Sequence, residues 1–555
     1  MHLSSFRIII HNNLILIIDE NPLSSQGDLN IGAYNENHSA MRYPIGIQTF
    51  RRIREDGYVY VDKTDLIYKL AQDGVYYFLS RPRRFGKSLT ISTLEAYFLG
   101  QKELFTGLKI ENLEKEWTVH PVLHLDLNMG KYDSMDALRN QLNLALNKWE
   151  ELYGTGKDEH APNERFSGII ERAYKQTGCK VVILVDEYDK PLLQCIDKPD
   201  LQDEMRSELK AFYSVLKSQD RYIRFSFLTG VTKFSKVSVF SDLNNLNDIS
   251  LEPAYERLCG ISKEELTDFF AEPIREIGEE NDYTYDETLA ELKKCYDGYH
   301  FSRKLTDIFN PFSLLNAFKK NDFGSYWFES GTPTFLVKLL RDNDIDLSSL
   351  ERLEMDEKAL GNVDVMYTNP SPVLYQSGYL TIKGYDKSSR LYTLSFPNEE
   401  VKEGFLTFLI PFYTPIDATA SASIINQLVK AVRQGQMQNF LIILKSFFSG
   451  YNYELIPRHD LERHYQNVIF TVCRLIGLRV EAEMHTSNGR IDMCLQTKDA
   501  IYIFEFKLNV EITEARIQIE RKDYAAMFAA DSRPKVKIGV NFDSEIRSIK
   551  DWTIE

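Results

Sequence analysis

Cysteine is scarce in this sequence, paired cysteine is missing, and there is no excess of positive charge. Six cysteines (Cys179, Cys195, Cys259, Cys295, Cys473 and Cys494) stand among 555 residues. None forms a C-x-x-C pair, and no histidine sits at zinc-ligand spacing from one. A disulfide framework and a structural zinc are therefore not expected, and a reducing compartment, the cytoplasm, fits. Long apolar runs are missing too. Phe6–Ile18 is broken by His11, Asn12 and Asn13 and lacks a clear small-residue cleavage site, so a signal peptide is not expected. No other stretch reaches the ~20 apolar residues of a membrane span. The formal charge of −15 argues against nonspecific coating of nucleic acid, so any such contact needs a local basic surface. Internal repeats and low-complexity runs are absent.

What is present describes an ordinary globular chain, 43% hydrophobic and 26% charged, long enough for two to four domains. Residues 1–40 are expected to form a loose extension, the well-organised sequence opening at Met41. From 41 to 250 strands alternate with helices, as in a mostly parallel sheet covered on both faces. Strands are expected at Val75–Leu79, Pro121–Leu127, Lys180–Val185 and Tyr222–Leu228, with helices at Lys87–Leu99 and Ser134–Tyr153. Residues 251–415 read as a mainly helical middle region and 416–453 as a helical connector. The last unit, 454–555, reads helix, strand, hairpin, helix, strand.

Val75–Leu89 is a strand, a tight loop and a helix start, and Gly86-Lys87-Ser88 ends it as a phosphate-binding loop does. Backbone N–H groups and the helix N-terminus would cradle phosphates there, with Lys87 on the β/γ-phosphates and the Ser88 hydroxyl on Mg²⁺. Arg81 stands where the first glycine of G-x-x-x-x-G-K-S belongs. A continuous apolar run, Lys180–Val185, then ends in Asp186 and Glu187. A central parallel strand needs such a run, and its acids would hold Mg²⁺ (Asp186) and polarise the attacking water (Glu187). Phe225–Lys233 is a further apolar strand, whose Thr229 or Thr232 would sense the γ-phosphate.

The C-terminal hairpin can be read by counting. A turn at Lys498-Asp499 sets Asp492 opposite Glu505, and alternation puts Glu505 and Lys507 on one face, Phe504 and Phe506 on the other. Asp492, Glu505 and the Phe506 carbonyl offer hard oxygens to Mg²⁺ or Mn²⁺. Lys507 would orient the attacking water and stabilise developing phosphoryl charge. A half-exposed hairpin with an ordinary cross-strand acid and salt bridge is the plainer alternative. From Glu481 onward acids slightly outnumber bases, and no basic stripe with interleaved aromatics is evident.

Tyr43–Phe50, Tyr60–Thr64, Arg81–Ser88, Val185–Asp189, Thr229–Ser235, Phe240–Leu246 and Tyr296–Phe301 together resemble the bacterial AAA-ATPase-like family. The resemblance implies an additional-strand P-loop NTPase fold over Tyr43 to about Pro411, and ATP binding. It also makes Arg81 a usual variant of the loop. Around the phosphates it implicates Arg81, Arg83, Arg84, Phe85, Gly86, Lys87 and Ser88, together with Asp186 and Thr232. Its arginines would add charge to the phosphates or act across the interface of a homo-oligomer. Asp492, Glu505 and Lys507, with Gly489-Arg490 before them and a helix carrying Gln518, Lys522 and Tyr524 after them, resemble the PD-(D/E)XK nuclease superfamily. That resemblance implies an α/β restriction-endonuclease-like domain from about Glu454 to Trp552. Gln518 and Tyr524 would help position nucleic acid or Lys507, and Glu462 or Glu483 would supply a further acid. The resulting expectation is an ATP-regulated nuclease serving defence or mobile-element control. Its rivals are a nucleotide-dependent scaffold with a non-cleaving nuclease fold, and a signalling ATPase acting on a protein partner.

Overall fold

The structure is a computed structural model. It describes residues 6–11, 14–19, 41–196, 198–233, 246–328, 350, 352–361, 370–405, 427–428, 430–432, 434–449, 469–470, 473, 479–486, 489–522, 524–546 and 548–555. Within these, the side chains of 6–11, 14–19, 447, 449, 479–490, 515, 516 and 518–520 stay outside the description. Glu462 thus lies outside the described residues, and Glu483 and Gln518 are placed by their backbones alone.

In the leading stretch, β1 (Phe6–His11) and β2 (Leu14–Asp19) pair as an antiparallel hairpin. The first large sheet contains β3 (Tyr76–Ser80), β4 (Val122–Asp126), β5 (Val181–Asp186), β6 (Ile223–Gly230) and β7 (Asn247–Asp248), in the order β4-β5-β6-β3-β7. All its pairings are parallel. β6 therefore separates the strand that leads into the phosphate loop from the strand that ends in acids, which is the additional-strand arrangement. Every residue of β5 is buried, so its unbroken Val/Ile/Leu run reflects cover on both faces. Alternation assigns the faces. Val182, Leu184, Phe225 and Phe227 meet Ile91, Leu94 and Phe98 of α1 (Lys87–Phe98). Val181, Ile183 and Val185 meet α2 (Met135–Tyr153), α3 (Pro162–Thr177) and α4 (Pro199–Ser218). On α2 the buried Leu138, Leu142, Leu146 and Trp149 recur at helical spacing, and Phe166 of α3 stacks on Phe212 of α4 at 4.5 Å.

The middle region holds α5 (Lys263–Glu280), α6 (Tyr285–Tyr296) and α7 (Pro311–Lys320). Capping boxes at Ser262/Glu265 and Thr284/Glu287 fix the starts of α5 and α6 by satisfying their first N–H groups. Two short strands, β8 (Ile261–Ser262) and β9 (Ile308–Phe309), pair antiparallel. A three-stranded antiparallel sheet joins these helices: β10 (Leu353–Asp356), β11 (Thr381–Asp386) and β12 (Leu391–Ser395), in the order β10-β12-β11. The helical periodicity of this region gave no sign of that sheet.

The last sheet runs β13 (Arg479–Thr486), β14 (Gly489–Gln496), β15 (Ile501–Leu508), β16 (Lys535–Asp543), β17 (Ser548–Ile554) in that spatial order. Only β15 and β16 are parallel, and the connection between them carries α9 (Ile512–Lys522), as a parallel crossover requires. α8 (Met437–Ser449) covers one face, its Phe440, Leu444 and Phe448 joining Phe504, Phe506, Val540 and Phe542 in one core. Trp552 Nε1 donates to Gln438 Oε1 at 3.0 Å, and Lys445 Nζ to the Lys550 carbonyl at 2.9 Å. The stretch read as a connector thus contributes a helix that packs on this sheet. Phe448 lies 5.8 Å from the Phe542 ring, so Phe448→Ala should remove about 3–5 kcal/mol of packing. Hydrogen exchange across β16 and β17 should quicken while β3–β6 stay protected.

Candidate functional site

The phosphate loop takes its shape from two left-handed residues, Arg84 (φ 67°) and Gly86 (φ 97°). Arg81 is not among the left-handed positions, so no glycine is demanded there. Its guanidinium is turned to the back of the loop. It is buried, donating to the carbonyls of Ser80 (2.9 Å), Ser250 (2.8 Å) and Tyr255 (3.4 Å) and lying 4.1 Å over the Phe301 ring. Phe85 is likewise turned inward, edge-on to Tyr299 and Phe301 at 4.7 and 5.4 Å. Arg81 and Phe85 thus anchor the loop from behind. Arg83 and Arg84 are exposed, and Arg84 lies 4.9 Å over Phe312. Lys87 opens α1, its ammonium held by the carbonyls of Arg81 (3.1 Å) and Pro82 (3.2 Å) and lying 3.4 Å from Glu187 Oε1. Ser88 follows in the first helical turn.

The acidic end of β5 meets this loop. Asp186 Oδ1 accepts from Thr229 Oγ1 at 2.6 Å, whereas Thr232 Oγ1 donates to Asp189 Oδ2 at 2.7 Å. Of the two threonines considered from sequence, Thr229 is the one on Asp186. Asp189 also accepts from the N–H groups of Val231 and Thr232 at 3.1 and 2.6 Å. Burial, then Glu187, pushes its carboxyl up to about 6. Glu187 itself adopts φ 54°, a conformation that a non-glycine residue keeps only when its surroundings impose it. The cage of Asp189 escaped sequence reading, although its place three residues after Asp186 and the Gly230 turn opposite were signals. Beside Asp186 in the parallel register stands Asp126, also unread.

A cavity of about 100 Å³ adjoins the loop, lined by Pro44, Tyr60, Gly86, Thr90, Leu258 and Leu315, among others. Its wall is mostly apolar, with Lys63 as an exception. Lys63 is paired with Glu265 of α5 at 2.5 Å. The recess thus adjoins the start of α1.

In the C-terminal sheet, Met493 pairs with Phe504 and Cys494 with Ile503. Continued one step past the last paired residues, that register would set Asp492 opposite Glu505. Asp492 Oδ2 accepts the Phe506 N–H at 2.8 Å. Lys507 Nζ donates to Glu505 Oε1 at 2.7 Å and to the Phe506 carbonyl at 3.2 Å. Glu505 is fully buried, and its Oε2 has no hydrogen-bond partner among the described residues. Burial, then Asp492, pushes its carboxyl up to about 7 against the pull of Lys507. A divalent cation fits here: it would satisfy the orphaned oxygen and offset the repulsion of paired acids. No group of three or more His, Cys, Asp or Glu side chains gathers among the described residues, so the described donors are two carboxylates and main-chain oxygen. Tyr524 is buried with Ile491, Cys494, Ile501 and Ile503, where it packs under the hairpin away from solvent. Glu483 lies on β13 and Gln518 on α9.

The shift of Glu505 has a sign that can be tested. A carboxyl raised in the folded state favours the protonated fold, so stability is fullest below its ordinary value of 4.5 and is lost as pH rises through about 7. Without divalent ions, the unfolding transition of the C-terminal unit should fall between pH 5 and 8. Glu505→Gln should flatten that dependence, and Mn²⁺ should raise the wild-type transition most at the alkaline end.

With this geometry in place, the comparisons with known proteins fall into register. Residues 44–240 match the family described as Predicted AAA-ATPase, and residues 460–552 match the PD-(D/E)XK nuclease superfamily. A protein of Azotobacter chroococcum mcd 1, named an uncharacterized protein in the vnfD 5' region, is 36% identical over 527 residues. The match covers 93% of this chain and 99% of that protein. No helix among the described residues is long and apolar enough to cross a membrane. The chain belongs to the family of predicted AAA-ATPases, joined at its C-terminal end to a PD-(D/E)XK nuclease superfamily domain.

Proposed function

We propose that this protein binds and hydrolyses ATP at the loop of Lys87 and cleaves nucleic acid at the hairpin of Asp492, Glu505 and Lys507. The nucleotide state would set the arrangement of domains or protomers. The carrying observation is Glu505, a fully buried carboxylate beside a second carboxylate with one oxygen left unpartnered. A hairpin serving only as scaffold would gain by losing that acid, since an unsatisfied buried carboxylate is destabilising. Such perturbed acids cluster where chemistry is done.

At the nucleotide end, Ser88 and Asp186 would hold Mg²⁺, Lys87 would bind the β/γ-phosphates and Glu187 would take the proton of the attacking water. At the hairpin, Asp492 and Glu505 would hold Mg²⁺ or Mn²⁺, whose bound water is more acidic than bulk water. Lys507, fixed between Glu505 and the Phe506 carbonyl, orients the water and faces the charge that develops on phosphate. The base would enter the recess between Tyr60 and Leu258. Defence or mobile-element control, in the cytoplasm and as a homo-oligomer, is the biological setting that suits a nucleotide-switched nuclease. The acidic balance of the last unit favours a second reading, a scaffold that holds nucleic acid or protein without cutting.

Lys87→Ala should weaken ATP binding more than tenfold, whereas Glu187→Gln should bind ATP yet turn it over ~10²–10³-fold more slowly. Equal ATP affinity in wild type and Lys87→Ala would remove the nucleotide site. Single- and double-stranded DNA and RNA, with Mg²⁺ or Mn²⁺ and with or without ATP, test the hairpin. Wild type should cut at least one of these. Asp492→Asn should lose metal and cleavage together, and Lys507→Ala should keep metal but lose cleavage. A wild type that retains nucleic acid uncut under all conditions would establish the scaffold instead.

A further inference from the structure

The acidic turn carries a cation that the reading above leaves unused. Lys190 follows Glu187 by three residues, and its N–H donates to the Glu187 carbonyl at 3.1 Å. Its ammonium donates to Asn128 Oδ1 at 2.7 Å and to the Asn128 carbonyl. Asn128 is fixed in turn, its N–H donating to Asp126 Oδ1 at 2.7 Å. Because Asp126 lies beside Asp186 in the sheet, the turns after β4 and β5 form one frame that holds Lys190 at the carboxyl edge. Held in that frame, Lys190 is near enough for the charges of Glu187, Arg83 of the phosphate loop and Asp126 to act on it. Partial burial holds its ammonium below the ordinary lysine value, Glu187 and Asp126 pulling it back up and Arg83 pushing it further down. Lys87 stands on Glu187 from the loop side, at 3.4 Å. Lys87 thus pairs with the Glu187 carboxylate from the phosphate loop, while Lys190, on the same turn as Glu187 and bonded to Asn128, acts on its charge from further off. Arg83, exposed and making no side-chain hydrogen bond or ion pair among the described residues, brings a like charge toward Lys190. Cations drawn together from two loops repel, and a highly charged anion between them relieves that repulsion.

We propose that Lys190 contacts the terminal phosphate of ATP opposite Lys87, so that the cation completing the hydrolytic site comes from the same chain. The proposal rests on the ATPase reading above. In hydrolysis the water oxygen bonds to the γ-phosphorus, the bond from that phosphorus to the β–γ bridging oxygen breaks, and the water's proton passes to Glu187. Lys190 stabilises the charge spread over the γ-oxygens, which ADP lacks.

The test uses full-length protein and measures ATP affinity, ADP affinity and turnover for Lys190→Met and Lys190→Arg. Lys190→Met should lower turnover ~100-fold or more. It should also weaken ATP several-fold while leaving ADP unchanged, a split that a merely structural lysine would not give. Lys190→Arg should recover part of the turnover. Mixing Lys190→Met with Lys87→Ala should give no more than the sum of the two, because neither chain then holds a complete site. Recovery on mixing would place the cation in trans and overturn the proposal. So would wild-type turnover and an unchanged ATP/ADP ratio in Lys190→Met. Should Lys190→Met unfold, Asn128→Ala takes its place: freeing the ammonium should lower turnover with ADP affinity intact, and normal turnover would sink the proposal. A wild type that neither binds nor hydrolyses ATP would instead remove the ATPase reading on which this one stands.

Discussion

The buried carboxylate of Asp189 is the constraint on which the nucleotide end is built. It takes two backbone N–H groups and one hydroxyl from the turn after β6, clamping the acidic turn of β5 to the neighbouring strand. Tyr188 adds two bonds, its N–H to the Thr229 carbonyl and its hydroxyl to the Thr232 carbonyl, both at 3.0 Å. The turn cannot relax, and Glu187 is held in the left-handed region with its carboxylate facing Lys87. Gly230 is the complement of this clamp. A Cβ there would come within 2.6 Å of Asp189 Oδ1 and 2.7 Å of the Tyr188 ring, so the close approach of the strands requires glycine on close-contact grounds alone. A strained acid, a buried acid and a glycine are three consequences of one packing decision.

The hairpin site obeys the same rule by different means. In both places an acid sits at the rim of a sheet whose opposite face is sealed by aliphatic and aromatic packing, and burial raises the carboxyl. At Asp189 both oxygens accept an N–H or O–H, so the acid is structural. At Glu505 one oxygen is bonded to Lys507 and the other has no partner among the described residues. The difference in satisfaction, more than the difference in burial, separates an acid that supports a site from one that forms it.

How much of this was legible in the sequence follows from how local each determinant is. The four principal strands of the first sheet were readable because continuous Val/Ile/Leu/Phe runs admit few other fates, and observed bounds fall within about two residues of the expected ones. The opposition of Asp492 and Glu505 was readable because a hairpin register follows from its turn by counting. The orientation of Arg81 was not legible, since the glycine motif encodes backbone shape only, and the direction of its side chain depends on Ser250, Tyr255 and Phe301 far along the chain. The choice between Thr229 and Thr232 was open for the same reason: both end the same strand, and only the partner strand distinguishes them. β17 and the β10-β12-β11 sheet were missed, their strands mixing buried with half-buried or exposed positions where β5 is one continuous buried run.

The Tyr296–Phe301 segment shows how the two levels meet. Gly298, at φ 86°, lets the chain pass so close to the Pro397 carbonyl that a Cβ would lie 2.3 Å from it. His300 then bridges the Ile382 carbonyl, 2.5 Å from its Nδ1, and Asp307 Oδ1, 2.7 Å from its Nε2. Tyr299 and Phe301, held between these anchors, present their rings to Phe85, and Phe301 also carries the Arg81 guanidinium. The back of the phosphate loop is therefore seated on a platform fixed to β11 of the middle region. Close-packed rings have few alternative arrangements, so a loop that reshapes around phosphates must carry Phe85 and Arg81 with it or repack the platform. The loop and the middle region are thus packed as one body, and under the ATPase reading proposed above that mechanical link is what a nucleotide-driven rearrangement would act through.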